Sequence, residues 1–283
     1  DEGRNALMRE RERYDVVQMT GIDTWTSLAS GAYMLAENYL YTVEAAREMF
    51  RILEPQGLLQ ISRFALDQEG LRLLANLEAA FAEAVRVDFS RSVAVIAEWP
   101  LLTVIVKKGA LSATDRVNIE RFTERAGFDV VYLPGRSSPG LLPAFITSTD
   151  KRAFIEAFPR NIAPTSDDRP YFFNFHRWSD VLGARHSIDE PSQVSQGNPL
   201  FILGQLALSL VLSGLLVLAP VWLRRGEGPR RRPRWPVLLY FSGVGVGFIL
   251  IEIVMIQKLQ LWLGHPLYSL TVTLFSLLVF TGL

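Results

Sequence analysis

Apolar and polar positions alternate in two periods along the first part of the chain. "YDVVQM" (residues 14–19) is a short apolar run with the composition of a strand. From residue 43 the period changes: Val43, Ala46, Met49, Phe50 and Leu53 fall on one helical face. Thr42, just before them, is a residue type that caps helices. "LEPQG" (residues 53–57) predicts the helix end, with Pro55 unable to continue it and Gly57 supplying the turn. "LLQISRF" reads as the next strand. "QEGLRLLANLEAAFAEAV" reads as a helix of roughly five turns. Its leucines, such as Leu73 and Leu74, and its Phe81 are expected in the core, with Phe50. "RSVAVIAE" and "LLTVIVKK", separated by Trp99 and Pro100, predict an antiparallel pair. "ATDRVNIERFTERAG" reads as an amphipathic helix and "FDVVYLPG" as a strand. At the front, "GRNALMRERERY" has helical composition, with "RERER" as a solvated end. Strand and helix alternate throughout, which predicts a mostly parallel sheet covered by helices.

The pattern then changes class. "PLFILGQLALSLVLSGLLVLAPVWL" (residues 199–223) holds no charge, and about 20 apolar residues span a bilayer core. Similar runs cover residues 236–256 and 266–283. Trp222, Trp235 and Trp262 flank them as interfacial aromatics do. Three membrane helices are therefore predicted at about 199–223, 236–256 and 266–283. A soluble domain over 1–135 and a connecting segment over 136–198 that docks at the membrane precede them. Six arginines lie between the first two runs, at 224–234. The positive-inside tendency places that loop in the cytoplasm, but unseen upstream helices can dominate orientation, so the side of the soluble part stays open.

Charge sharpens this division. The chain has 29 basic and 29 acidic side chains over 283 residues. Residues 199–283 hold seven basic and two acidic ones, a net +5, so residues 1–198 hold 22 against 27, a net −5. An acidic soluble part argues against nucleic acid as a partner. There is no cysteine, and His176, His186 and His265 are scattered, so no metal site is expected. The sequence opens without an initiator Met and stops inside an apolar run, which reads as an internal piece of a longer protein.

Several motifs occur in a telling order. "YDVVQMTGIDTW" runs from a strand into a polar turn. "NYLYTVEAAREMF" opens a helix, "ILEPQGLLQISRF" leads into the next strand, and the antiparallel pair follows. "SDDRPYFFNF" (residues 166–175) and a tail with "IEIVMIQKLQLWLGHPLYSL" complete the series. This series resembles the second half of a class I S-adenosylmethionine-dependent transferase domain, and within that group the spermidine synthase family. With its tail it looks like the large membrane-embedded members found in bacteria. The resemblance implies an α/β fold. It would be a partial Rossmann-like methyltransferase sheet in the order of that fold's fourth, fifth, seventh and sixth strands, followed by a transmembrane bundle. It also implies a multi-pass protein of the bacterial inner membrane. The donor would be S-adenosylmethionine or its decarboxylated form, and the acceptor a small amine.

Aminopropyl transfer needs an amine nitrogen that has lost its proton, held in line with a carbon next to a sulfonium. The family uses two turn aspartates for this. Laid on this chain, the first falls on Thr20 and the second on Asp23. Thr20 is the departure, because a hydroxyl neither accepts that proton near neutral pH nor attracts a cation. Asp23 is the remaining acid, either an amine-holding or base residue or a turn Asp bonding its own backbone. By the same resemblance Gly21 borders the donor, and Asp1 and Glu2 stand where an acidic residue contacts the adenine amino group. The Gly-rich loop of the family is absent from this chain. Tyr41, in the matched "LYTVEA", belongs on the substrate side.

The remaining candidates carry two readings each. Asp167 and Asp168 either hold a cationic substrate as part of a lid, or belong to a docking segment. In the docking reading Tyr171, Phe172, Phe173 and Phe175 bury, and Asp168 pairs with Arg169. Glu252 is an ionisable group within an apolar run, facing a partner or wet cavity, or snorkelling to the interface, with Lys258 and His265 nearby. "GVGVG" (residues 243–247) lacks a preceding strand and reads as helix–helix packing, not as a phosphate loop. Three functions follow: a spermidine synthase-like transferase, a methyltransferase with another acceptor, and a non-catalytic ligand-sensing domain fused to a transporter-like bundle.

Overall fold

The computed structural model describes residues 3–21, 36–65, 67–177, 199–223, 235–263 and 266–282. They form a mixed α/β protein with a six-stranded mixed sheet and nine helices among the described residues. The chain separates into two compact units, Glu10–Gln205 and a helical one made of Asp1–Arg9 with Leu206–Leu283.

In the first unit the strands are β1 (Tyr14–Thr20), β2 (Leu53–Phe64), β3 (Val93–Glu98), β4 (Leu101–Lys107), β5 (Asp129–Leu133) and β6 (Arg136–Ser137). The helices are α2 (Val43–Ile52), α3 (Asp67–Ala84), α4 (Ala113–Ala126), α5 (Leu141–Thr147) and α6 (Lys151–Ala157). The strands stand in the order β1-β2-β4-β3-β5-β6. Only β1 and β2 pair in parallel; every other neighbouring pair is antiparallel. The expectation of a mostly parallel sheet is thus corrected. The β3–β4 hairpin supplies the reason: two residues, Trp99 and Pro100, can join only antiparallel strands. β4 enters between β2 and β3 and separates two strands that run the same way. Each strand–helix–strand unit does connect strands of one direction, β1 to β2, β2 to β3 and β4 to β5. The crossover rule predicted direction correctly but not adjacency.

Register fixes the two faces. Met19, Ile61, Val104 and Val95 align across β1, β2, β4 and β3, and all are buried. One residue along, Thr20, Ser62, Thr103 and Ile96 align on the opposite face. α2 and α3 contribute Phe50 and Phe81, edge to face at 5.6 Å. On the opposite face, Ala94, Leu111, Val130 and Leu133 bury against Ile105 and against Ile119 of α4.

Of the local signals, the Thr42 cap falls where the pattern placed it, and the α4 caps add to it. Thr42 caps α2, its hydroxyl accepting from the amide of Ala45 at 3.2 Å. Ser112 and Asp115 close a capping box on α4, and Gly127 ends that helix at φ 75°. The "LEPQG" turn is a correction. β2 already begins at Leu53, and the left-handed residue is Gln56, at φ 73°, not Gly57. Gly57 is required for space: a Cβ there would lie 3.0 Å from the carbonyl of Glu54 and 3.2 Å from that of Asp15. It lets β1 approach β2 where their register shifts, between Tyr14 and Val16.

The helical unit contains α1 (Gly3–Arg9), the last helix α9 (Pro266–Gly282), α8 (Trp235–Leu263) and most of α7 (Pro199–Leu223). α8 and α9 pack together, with Ser269 and Thr273 buried one turn apart on α9. Among the described residues one stretch, Leu239–Leu259 of α8, is long and apolar enough to cross a membrane by length and composition. Leu203–Leu216, within α7, and Leu267–Phe280, within α9, are shorter apolar stretches, so among the described residues one of the three expected spans stands as a candidate. Glu252 lies within that candidate, half-buried. Gly243 and Gly247 are helical, as the rejection of a phosphate loop requires, but no atom lies within 4 Å of a Cβ built at either. They make no close helix contact among the described residues.

Candidate functional site

The parallel pair β1/β2 ends at Thr20 and Phe64, and open α/β sheets bind ligands outside such carboxyl ends. Thr20 is exposed, and its hydroxyl accepts from the side-chain Nε2 of Gln18 at 3.4 Å. Beside it Ser62 and Thr103 share a hydrogen bond at 2.8 Å, so this face presents a row of hydroxyls. Gly21 follows at φ 56° with open space around its Cβ position. Conformation, not crowding, calls for glycine there. Asp23 lies outside the described residues, as do Asp1 and Glu2.

Behind this edge sits a charged cluster that the hydropathy pattern does not announce. Arg63, the penultimate residue of β2, and Glu69, on α3, are both buried and pair at 2.8 Å. Arg63 also donates to the hydroxyl of Tyr41 at 3.1 Å, and its guanidinium lies 4.9 Å from the ring centres of Tyr41 and Phe173. Burial pushes the Glu69 carboxyl up and the Arg63 guanidinium down, and each charge opposes the shift of the other. Tyr41 is buried, and its ring stacks on Phe172 at 4.7 Å. Burial, with the charge of Glu69 behind it, pushes its phenol far up. The hydroxyl of Tyr41 therefore serves Arg63.

One turn along α3, Arg72 is buried and donates to the carbonyls of Phe172 at 2.7 Å, Asn174 at 2.8 Å, Tyr171 at 3.3 Å and Asn161. Its guanidinium sits 4.6 Å from the ring centre of Phe175. Burial pushes it down to about 9. A further turn along, Asn76 donates to the carbonyl of Tyr41 and accepts from the amide of Thr165. Glu69, Arg72 and Asn76 thus form one polar stripe, spaced to share a helix face. Arg72 and Asn76 clamp residues 165–175, a strap whose Phe173 ring lies against Arg63 near the end of β2. Phe172, Phe173 and Phe175 are buried in it, as the docking reading expects, and Tyr171 is half-buried.

Asp167 of the strap accepts from the hydroxyl of Thr42 at 2.7 Å, and its amide donates to Glu44 at 3.0 Å. It fastens the strap to the start of α2, where a carboxylate is favoured by the helix dipole. Asp168 is exposed. Among the described residues no ion pair joins Asp168 to Arg169; the amide of Arg169 instead closes a turn onto Ser166 at 2.9 Å. Glu37 accepts from the hydroxyl of Tyr39 at 2.9 Å; burial, and after it the charge of Glu37, push the phenol of Tyr171 up. A cleft of about 210 Å³ opens at the same edge between Ala65, Asp67, Leu102, Leu141 and Leu142.

The structure thus brings Thr20, Gly21, Tyr41 and Asp167 to one end of the sheet, with Asp168 on the strap beside them. Glu252 belongs to the other unit. Arg63, Glu69, Arg72 and Asn76 escaped the sequence reading, though an Arg and an Asn between the leucines of "LRLLANL" were a usable signal. Compared with known proteins, the chain matches no protein-family model and no curated sequence.

Proposed function

We propose that this chain belongs to a membrane-associated transferase of the spermidine synthase type, taking S-adenosylmethionine or its decarboxylated form as donor and an amine as acceptor. The observation that carries this reading is the strand order β1-β2-β4-β3, with β4 alone reversed among the four. The resemblance implies that arrangement for the second half of such a domain. Further support comes from the side chains at the strand ends. Asp67 and Asp168 are exposed there, Glu37 and Asp167 are half-buried, and the nearby cations Arg63 and Arg72 are buried. That balance suits a cationic acceptor. The donor supplies an electrophilic carbon beside a sulfonium. The chain's own part is to hold the amine, exclude water with the strap and leave backbone open to the donor at Gly21. The candidate span Leu239–Leu259, with α7 and α9 beside it in sequence, supports anchoring in a bilayer, as a multi-pass protein in the fuller form of the reading.

Thr20 favours a second reading, a domain that binds amine without turning it over. Calorimetry on the full-length protein with both donors and with 1,4-diaminobutane, followed by mass spectrometry of the products, separates the two. Donor binding with transfer supports the transferase. Diamine binding without donor or product supports the sensor. Donor binding with methylation of another acceptor supports a methyltransferase. Binding of neither class overturns all of them.

A further inference from the structure

The cleft of about 210 Å³ beside the start of α3 combines apolar walls with a single charge. Ala65, Ala97, Leu102, Val131 and Leu142 line it, and Asp67 is the one ionisable residue in its wall. Asp67 opens α3 and Gly70 follows three residues on, so the two share a helix face. A Cβ at Gly70 would lie 2.9 Å from side-chain carbons of both Leu102 and Leu142. That face of α3 is therefore seated directly on the apolar wall, and it brings the Asp67 carboxylate to the cleft.

Two further observations point to an occupant. Backbone bonds hold the walls in place. The amide of Ala65 donates to the carbonyl of Pro100 at 2.9 Å, which fastens the end of β2 to the β3–β4 turn. Ser138 donates twice to β5, from its amide to the carbonyl of Val131 at 2.9 Å and from its hydroxyl to that of Val130 at 2.8 Å. The second observation is the state of the acids. Glu69 is committed to Arg63, and Asp167 to Thr42. Asp67 is exposed, and among the described residues no hydrogen bond or ion pair engages it. Apolar walls favour a hydrocarbon body, and one uncommitted carboxylate favours one cationic end. The volume lies below the roughly 300–1,000 Å³ of pockets for drug-sized ligands, so the ligand is small.

We propose that this cleft takes a small monoamine, with its hydrocarbon part between Leu102, Val131 and Leu142 and its ammonium on Asp67. A diamine of the same length suits it less, because its second ammonium would enter the apolar part without a partner. The proposal rests on the amine-handling reading above and narrows its acceptor to an amine with an apolar tail.

The test uses the full-length protein and three probes of one chain length: hexan-1-amine, the uncharged hexan-1-ol and 1,6-diaminohexane. Calorimetry should rank the amine tightest, and its binding should weaken with salt. Asp67→Asn should weaken hexan-1-amine about threefold to tenfold, the range for a hydrogen bond to an exposed charge, and leave hexan-1-ol unchanged. Ala97→Leu, which fills the cleft, should remove amine and alcohol together. Asp67 is exposed, so the melting temperature of Asp67→Asn should stay near that of the parent. Parent affinity for hexan-1-amine in Asp67→Asn overturns the proposal, as does tighter binding of the diamine. Transfer to 1,4-diaminobutane by a protein that binds no hexan-1-amine overturns the cleft and leaves the transferase reading standing. Asp67-dependent binding of hexan-1-amine in a protein that binds no donor supports the cleft and removes the transferase.

Discussion

Arg72 donates to the carbonyl of Phe172 at 2.7 Å, a bond between residues one hundred positions apart. One guanidinium on α3 thereby holds the strap in place. A planar fork of five N–H donors matches several converging carbonyls, which a lysine ammonium does not.

Arg72→Met should therefore cost at least about 3 kcal/mol, because several buried carbonyls lose their donor together. Urea unfolding of the α/β unit within the full-length protein measures this, and limited proteolysis should show new cuts within residues 160–175. Arg72→Lys should recover less than half. Full recovery by lysine would mean that charge alone, not the fork, holds the strap.

The buried Arg63–Glu69 pair predicts asymmetric losses. Glu69→Leu strands a buried guanidinium and should cost about 3–5 kcal/mol. The double variant Arg63→Met with Glu69→Leu should be closer to wild type than Glu69→Leu alone, since apolar replacement of a whole buried pair is often neutral. A double-mutant cycle with no coupling would refute the pairing.

Gly57→Ala should destabilise by about 1–3 kcal/mol, because the new Cβ meets backbone oxygens that cannot swing aside. Gln56→Gly should instead stabilise by about 1 kcal/mol, removing a side chain from a left-handed conformation. Opposite signs at adjacent positions in chemical denaturation check both statements. A neutral Gly57→Ala would mean that β1 can retreat from β2 at no cost.

Asp115 gives a pH dependence. Burial alone would raise its carboxyl, but hydrogen bonds from Lys107 at 2.6 Å and from Ser112 outweigh it and hold the group below its ordinary 3.8. A folded-state value below the unfolded one adds stability that is complete above the unfolded value and is lost as pH falls through the folded one. The stability difference between wild type and Asp115→Asn should therefore be constant above about pH 5 and shrink below 3.8. A difference that persists unchanged into stronger acid would show that the carboxylate charge contributes nothing to the α4 cap.

Much of the architecture was legible because it is local. The face Val43, Ala46, Met49 and Phe50, the Thr42 cap and the Gly127 stop depend on neighbours within a turn or two. So did the β3–β4 hairpin, announced by two apolar runs around Trp99 and Pro100. The candidate site was legible only in outline. Thr20 and Gly21 could be placed at a strand end from the turn that follows "YDVVQM". The roles of Tyr41 and Asp167 could not, because both face partners more than twenty residues away.

The chain by itself settled the main helices and strands up to Leu133, though not β6, α5 and α6 after them, and that an uncharged apolar stretch follows an acidic α/β part. Periodicity, capping and turn chemistry act between residues a few places apart, so they can be read along a line. Only the tertiary structure decided that β4 inserts between β2 and β3, that Gln56 rather than Gly57 takes the left-handed turn, and that the strap comes to rest on Arg72. Those outcomes depend on burying charges and carbonyls that are distant in sequence. Their desolvation has to be compensated by whichever partners the fold brings within hydrogen-bond reach.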